Sequence, residues 1–136
     1  LQLANTAYAY DNALALMLFL IEGERKRADL LAEAFRLAMT NDRGQPVAPL
    51  RNAYRAGDLF GPMTVETGKR AVALPGHWDP EEQKWFEDHF NVSTHTGNVA
   101  WTALALLTHA DLRQNKESFE ASRNLADWVL DNCWST

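Results

Sequence analysis

The chain has 136 residues, a length that suits one domain, and 46% of them are apolar, which is enough to fill a hydrophobic core. Its 18 acidic and 13 basic residues give a formal net charge of −5, and the two signs are mixed along the chain. This composition argues against a wholly disordered chain. It also makes nucleic acid and anionic membranes poor partners.

The cysteine count and the hydropathy pattern bear on the compartment. Cys133 is the only cysteine, so no internal disulfide can form, which fits a reducing compartment. The longest apolar run, residues 13–21, is too short to span a bilayer and has no basic segment of the signal-peptide kind before it. We therefore expect no membrane partner. The localisation stays unassigned, with the cytoplasm slightly favoured.

Two pairs of helices are predicted, one in each half of the chain. Residues 11–21 are apolar on every side, which predicts a buried helix, and Gly23 is placed to form its C-terminal cap. Residues 24–40 carry apolar side chains at spacings of three and four, which predicts a helix with one wet face. The same order recurs in residues 97–109 and 117–132. The chain therefore contains an internal repeat of about 40 residues.

The segment between the two helix pairs, residues 41–94, holds all five prolines. A loop of this length inside a compact domain is expected to be functional or to contain short elements of its own. Residues 64–74 are predicted to form a pair of short strands. Residues 80–86 are predicted to form a short helix, with Asp79 as its cap and Pro80 in its first turn.

These elements predict an all-α fold with one domain over residues 1–136. It consists of two antiparallel helical hairpins, at about 8–41 and about 95–133, joined by a long connecting loop at 42–94. In each hairpin a buried inner helix is followed by an amphipathic outer helix. Such a hairpin cannot bury all its faces alone, but a ring of hairpins with the first helices inside can do so.

Three segments resemble a known group of ring-shaped helical proteins. They are YDNALAL (10–16), LRNAYRAGD (50–58) and WFEDHFNVSTHTGNVAW (85–101). Together they resemble the six-hairpin α/α toroid proteins, a group rich in glycoside hydrolases, polysaccharide lyases and sugar epimerases. The resemblance implies that this chain is a fragment of a larger toroid. Its exposed hairpin faces are then expected to be covered by the remainder of a longer chain or, in a homo-oligomer, by a second copy.

The resemblance also implies a substrate groove at the mouth of the ring, where the loops enter the inner helices. Glycoside hydrolysis needs one carboxyl group that protonates the leaving oxygen and another that acts as base or nucleophile, about 5 to 10 Å apart. The candidate catalytic groups are Asp11, Asp58, Glu87 and Asp88, with Glu87 or Asp88 as the acid. Helix capping by Asp11, and solvated loop positions for Glu87 and Asp88, are the alternative interpretations.

Sugar recognition needs flat apolar surfaces for the ring faces and planar polar groups for the hydroxyls. The candidate substrate-binding residues combine both kinds and are Tyr10, Arg51, Tyr54, Trp78, Trp85, His95 and Asn98. Arg55 and Asn52 lie in the same polar loop. For Trp78 and Trp85, packing of the loop onto the helices is the alternative interpretation.

No metal site and no cofactor are predicted. His77, His89 and His95 lack a compact metal-binding spacing, and the HExxH motif is absent. Glycine-rich phosphate loops and the GxSxG motif are also absent. The predicted function is that of a part of a carbohydrate-active, glycoside hydrolase-like protein with a carbohydrate ligand. The alternative is a non-catalytic helical-repeat module for binding or assembly.

Overall fold

The protein combines helices with short β-strands. The computed structural model describes residues 5–42, 49–57, 60–63 and 70–133. The elements in chain order are β1 (Thr6–Tyr8), α1 (Ala9–Ile21), α2 (Arg25–Asn41), β2 (Ala53–Arg55), β3 (Phe60–Met63), β4 (Arg70–Val72), β5 (Gly76–Asp79), β6 (Lys84–Glu87), α3 (His89–Val92), α4 (Thr96–Arg113) and α5 (Lys116–Cys133). Strand β1 pairs with β2, β3 with β4, and β5 with β6, each antiparallel.

The predicted all-α class is therefore wrong. Every one of these strands is only three or four residues long, too short to leave a clear alternating pattern in the sequence. Two of them, β1 and β2, also pair across the whole first helical hairpin, so no local turn signal marks them. The fold is a mixed one, in which small two-stranded sheets are added to two helical hairpins.

The four long helices lie where the sequence predicts them, and their turns follow standard capping rules. Gly23 has φ +72°, and its N–H donates to the Leu20 carbonyl at 3.3 Å. The Glu24 N–H donates to the Phe19 carbonyl at 2.8 Å, which completes a Schellman turn after α1. The predicted cap at Gly23 is thus confirmed. Before α5, the Asn115 side chain accepts the N–H of the third helical residue at 2.7 Å.

The core lies where α4 packs against α1 on one side and α5 on the other, with α2 closing the first hairpin. Its fully buried larger side chains are Leu16, Leu50, Val99, Leu106 and Leu125. Many of the remaining core residues are alanines, which let the helix backbones approach closely. In the described part of the chain, no helix is both long and apolar enough to cross a bilayer.

Helix α1 differs from its predicted environment. Its buried positions are Ala9, Ala13 and Leu16, whereas Leu18 is 54% exposed and Ile21 is 78% exposed. The prediction of a buried inner helix is therefore wrong for α4, where Leu104 is 51% exposed, and also for α1. Two hairpins supply neighbours for only one side of this helix, and its second apolar side remains in contact with solvent.

The predicted short helix at 80–86 is also wrong. Residues 80–83 form the turn between β5 and β6, and the chain returns as a strand at Lys84. The Asp79 side chain accepts the N–H groups of Glu81 at 2.8 Å and Glu82 at 3.1 Å, as a helix cap would. Gln83, however, has φ +49°, a left-handed conformation that ends the turn before a helix can begin.

The predicted pair of strands at 64–74 is only partly described. Strand β4 lies inside this range, and its partner β3 comes before it rather than within it. Residues 64–69 lie outside the described part of the chain.

Candidate functional site

The first turns of α1 and α4 lie side by side at one end of the molecule, and Asn52 joins them. The Asn52 carbonyl accepts the N–H of Ala9 at 2.9 Å, and the Asn52 N–H donates to the Ser93 carbonyl at 2.7 Å. Its side-chain oxygen accepts a hydrogen bond from the Asn98 amide. We call this end the helix-entrance surface: the first turns of α1 and α4, residues 49–55, and the β5–β6 hairpin.

An aromatic pair lies at the edge of this surface. The rings of Tyr10 on α1 and Trp101 on α4 meet edge to face with centroids 5.9 Å apart, and each residue is 38% exposed. Side chains of a helix lean towards its N-terminus, which places the Trp101 ring nearer the helix entrance than its backbone. Tyr10, one of the predicted binding residues, thus offers an accessible ring.

The β5–β6 hairpin carries further aromatic side chains on both of its faces. Trp78 and Trp85 are directly opposite each other in the antiparallel register, so both indoles belong to one face. Trp78 is 56% exposed. The Arg55 guanidinium lies over the Trp85 ring, 5.6 Å from its centroid. On the opposite face, the rings of His77 and Phe86 stack with centroids 6.0 Å apart.

Two of the predicted binding residues are held in the protein interior or by internal bonds. Arg51 donates to both oxygens of Asp42, at 2.6 and 2.8 Å, and to the Val92 carbonyl at 2.8 Å. Hydrogen bonding to Asp42 raises the pKa of Arg51, and the nearby Glu87 carboxylate adds to this. Tyr54 is 6% exposed, its hydroxyl accepts the Arg51 N–H at 3.1 Å, and burial raises its pKa to about 12. Both residues therefore stabilise the structure beneath the helix-entrance surface and are not accessible binding groups.

The candidate catalytic carboxyl groups occupy different environments. Asp11 is exposed in the first turn of α1, and Glu87 is half-buried as the last residue of β6. Asp88 accepts the N–H of Asn91 at 2.9 Å and caps the short helix α3. Asp58 lies outside the described residues. The surface thus brings Asp11, Glu87 and Asp88 to the same end of the molecule.

His95 and Asn98 lie at the start of α4. His95 is the exposed residue just before the helix, and its ring meets Phe90 edge-on with centroids 5.0 Å apart. Ser93 Oγ lies 3.4 Å from His95 Nε2. Asn98 is half-buried, and its amide is bound to Asn52. His95 is therefore the more accessible of the two predicted binding residues.

Two cavities differ in size and in how many residues of this surface line them. A cavity of about 160 Å³ lies between α1, α2 and β2, lined in part by Asn12, Tyr54 and Arg55. A groove of about 740 Å³ runs between α2 and α5, and none of the predicted site residues lines it. Within the described ranges, no three His, Cys, Asp or Glu side chains come together in a group that could hold a metal ion.

Two contacts at this surface cannot be read from the sequence. Asn52 and Arg55 are recognisable as polar loop residues, but their partners, Asn98 and Trp85, are far away in the chain. The segment LRNAYRAGD gives a partial signal, because it places polar and aromatic side chains together. Only the folded chain shows which of them reach the surface and which support it.

Comparisons with protein-family models, with curated proteins and with solved structures give no match for this chain. The resemblance carried by its motifs therefore stays a prediction.

Proposed function

We propose that this chain forms part of the carbohydrate-binding groove of a glycoside hydrolase-like protein, at the helix-entrance surface. The observation that carries the proposal is the exposed indole of Trp78, which lies beside Trp85 on one face of the β5–β6 hairpin. A large aromatic side chain that is 56% exposed is not needed for the core. Its flat apolar face suits the C–H face of a pyranose ring.

The polar groups of the surface suit the rest of a sugar. His95 is exposed beside Phe90, and Tyr10 presents a hydroxyl on an accessible ring. Hydroxyl groups of a sugar both donate and accept hydrogen bonds, and imidazole and phenol groups can match them in either sense. An apolar platform with a few convergent polar groups is the usual composition of a small-ligand site.

The proposed reaction is hydrolysis of a glycosidic bond, with Glu87 as the general acid. Glu87 is half-buried, whereas the Asp88 carboxylate is exposed and bound to the Asn91 N–H, which favours Glu87 among the two. Asp11, exposed at the start of α1, is the candidate for the second carboxyl group, together with Asp58. Such a pair would provide the acid and the base or nucleophile that the reaction requires.

A non-catalytic binding or assembly module is the second candidate. It is favoured by the number of polar groups at this end that are already engaged in internal hydrogen bonds, namely those of Arg51, Asn52 and Asp88. A surface of this kind could hold a sugar without activating a water molecule. The two candidates share the binding step and differ only in turnover.

Calorimetric titration with a panel of neutral and acidic oligosaccharides tests the shared step. We expect binding by at least one member of the panel, and a loss of up to about tenfold in affinity for Trp78→Ala, because aromatic stacking contributes about 0.5 to 1.5 kcal/mol. Phe119→Ala is the matched control, since Phe119 is 47% exposed on α5 and lies outside the surface. Equal affinities for Trp78→Ala and the wild type would contradict the proposal.

Turnover of the bound oligosaccharide separates the two candidates. In a hydrolase, Glu87→Gln is expected to reduce the rate by a factor of at least about 100 while binding is retained, because the general acid is lost. Asp11→Asn and Asp58→Asn test the partner carboxyl group in the same assay. Absence of product from the wild type after long incubation with a ligand that binds would favour the non-catalytic module.

A further inference from the structure

Arg55 differs from Arg51, the other arginine of the helix-entrance surface. It is exposed on β2, and its backbone N–H donates to the Ala73 carbonyl at 2.9 Å. Arg51, four residues earlier, is neutralised by Asp42. In the part of the chain that the structure describes, no carboxylate forms an ion pair with the Arg55 guanidinium. Arg55 is therefore a positive charge without an acidic partner among these residues.

The aromatic neighbour of Arg55 fixes where this charge lies. The guanidinium carbon is 5.6 Å from the centroid of the Trp85 ring, and Trp78 is the cross-strand partner of Trp85. Gly76 makes room for this arrangement, since a Cβ atom there would lie 2.8 Å from Trp85 Nε1. The positive charge and the open Trp78 indole thus flank the half-buried Trp85 on one side of the hairpin.

This combination suits one chemical class of sugar better than others. A guanidinium group is a planar fork of N–H donors that matches a carboxylate, and hydrogen bonds between charged partners are about twice as strong as neutral ones. A neutral sugar would stack on the Trp78 indole, but it would leave the Arg55 charge without a counterion. Because the chain as a whole has a net charge of −5, long-range attraction of an anion is not available, and a local cation is required.

We propose that Trp78, Trp85 and Arg55 form a subsite for an acidic saccharide, in which a uronic acid ring stacks on the exposed Trp78 indole and its carboxylate pairs with the Arg55 guanidinium that lies over Trp85. This inference rests on the proposed carbohydrate function and adds the substrate class. Arg55 is the specificity-determining residue, Trp78 supplies affinity for the ring, and Trp85 positions the Arg55 guanidinium.

The test compares oligogalacturonate, oligomannuronate and oligoglucuronate with the corresponding neutral galactose, mannose and glucose oligomers, by calorimetric titration of the protein. We expect at least one acidic oligomer to bind about tenfold more tightly than its neutral counterpart, which corresponds to about 1.4 kcal/mol. Arg55→Gln should abolish this preference, because it should lower the affinity for the acidic oligomer by a larger factor than the affinity for its neutral counterpart. Trp78→Ala should weaken both. Raising the salt concentration should weaken acidic binding by the wild type but not by Arg55→Gln.

Two further variants serve as controls. Arg55→Lys keeps the charge without the planar fork and should retain part of the preference. Arg123→Gln removes an exposed arginine that is paired with Glu120 on α5, and it should change neither affinity. Circular dichroism of each variant shows whether it is folded, and Arg55→Lys keeps the test usable if Arg55→Gln is not.

The outcomes distinguish this inference from the proposed function. If neutral oligomers bind as tightly as acidic ones, or if Arg55→Gln keeps the acidic preference, the subsite assignment is wrong while the carbohydrate function stands. If no oligomer of either kind binds to the wild type, both fail. A preference for the acidic oligomer that depends on Arg55 supports both.

Discussion

Polar side chains connect α2, α4 and α5 away from the helix-entrance surface, and His109 is at the centre of this network. It is 2% exposed, with Nδ1 2.9 Å from Ser118 Oγ and Nε2 3.0 Å from Asp29 Oδ1. Arg36 donates to the same Ser118 oxygen at 2.8 Å. Since arginine can only donate, the Ser118 hydroxyl is free to donate to Nδ1, and Nε2–H then donates to Asp29. This chain of hydrogen bonds connects α2, α4 and α5.

Asp29 makes the stability of this network dependent on pH. Hydrogen bonding to Arg113, and to a lesser extent to His109, lowers the pKa of Asp29 from 3.8 to about 2. Because the folded-state pKa is below the unfolded one, the stabilisation is fully present above 3.8 and is lost as the pH falls through about 2. Solvent weakens the effect, since the Asp29 side chain is 46% exposed.

We expect Asp29→Asn to lower the free energy of unfolding at neutral pH by about 1 kcal/mol, because a charged acceptor of three hydrogen bonds is lost. The difference from the wild type should shrink as the pH is lowered from about 4 to about 2. Urea unfolding followed by circular dichroism at a series of pH values measures it. Asp127→Asn, at an exposed position of α5, is the control. A difference that does not change with pH would rule out this role of Asp29.

Among the secondary-structure elements, the sequence predicts those that depend on interactions between residues close together in the chain. The long helices and the Gly23 cap follow from residue spacing within a few turns and from the need for a left-handed residue. Strands β1 and β2 are not predictable in this way, since Tyr8 pairs with Ala53 across a whole hairpin. The residues Asp79 and Pro80 fit a helix start and a strand turn equally well, and only pairing of β5 with β6 decides between them.

The candidate site was predictable to a similar extent. Polar and aromatic residues before the helices are visible in the sequence, and the entrances of α1 and α4 do meet. The sequence does not separate Tyr54, which is buried, from Trp78, which is exposed. Both are aromatic residues in one loop, and their exposure depends on which neighbours the fold brings over them.

The β5–β6 hairpin needs a glycine at position 76 to keep its present backbone geometry and its aromatic face. A Cβ atom at this position would lie 2.0 Å from the Phe86 carbonyl oxygen, which is a backbone atom and cannot rotate away. We expect Gly76→Ala to destabilise the protein by about 1 to 3 kcal/mol, as for other overpacked sites. It should also change the fluorescence of Trp85. Thermal unfolding and tryptophan emission spectra measure the two effects.

Gly97→Ala is the matched control for this substitution. No atom lies within 4 Å of a Cβ at Gly97, in the first turn of α4, so alanine should be neutral or stabilise the helix by up to about 1 kcal/mol. Equal stability of the two variants would show that the hairpin relaxes without cost around position 76.

The molecule exposes an apolar face formed by α1 and α4, the first helix of each hairpin. Tyr10, Leu14 and Leu18 follow one another at intervals of four on α1, with exposures of 38%, 38% and 54%. On α4, Trp101 and Leu104 are 38% and 51% exposed, and Trp101 contacts Tyr10. Monomeric proteins seldom leave a continuous apolar face of this kind in water, because its burial is favourable.

We therefore expect a pure sample of this protein to self-associate through this face. In such a sample, only a second copy of the protein can cover the exposed leucines. Sedimentation velocity over a range of concentrations should show a species larger than the monomer, whose fraction grows with concentration. The double variant Leu18→Glu with Leu104→Glu should shift the equilibrium towards monomer, because burying two carboxylates costs more than the association gains. Leu30→Glu is the control, since Leu30 is 58% exposed on α2, outside this face. A wild type that stays monomeric at every concentration would mean that the exposed leucines do not drive assembly.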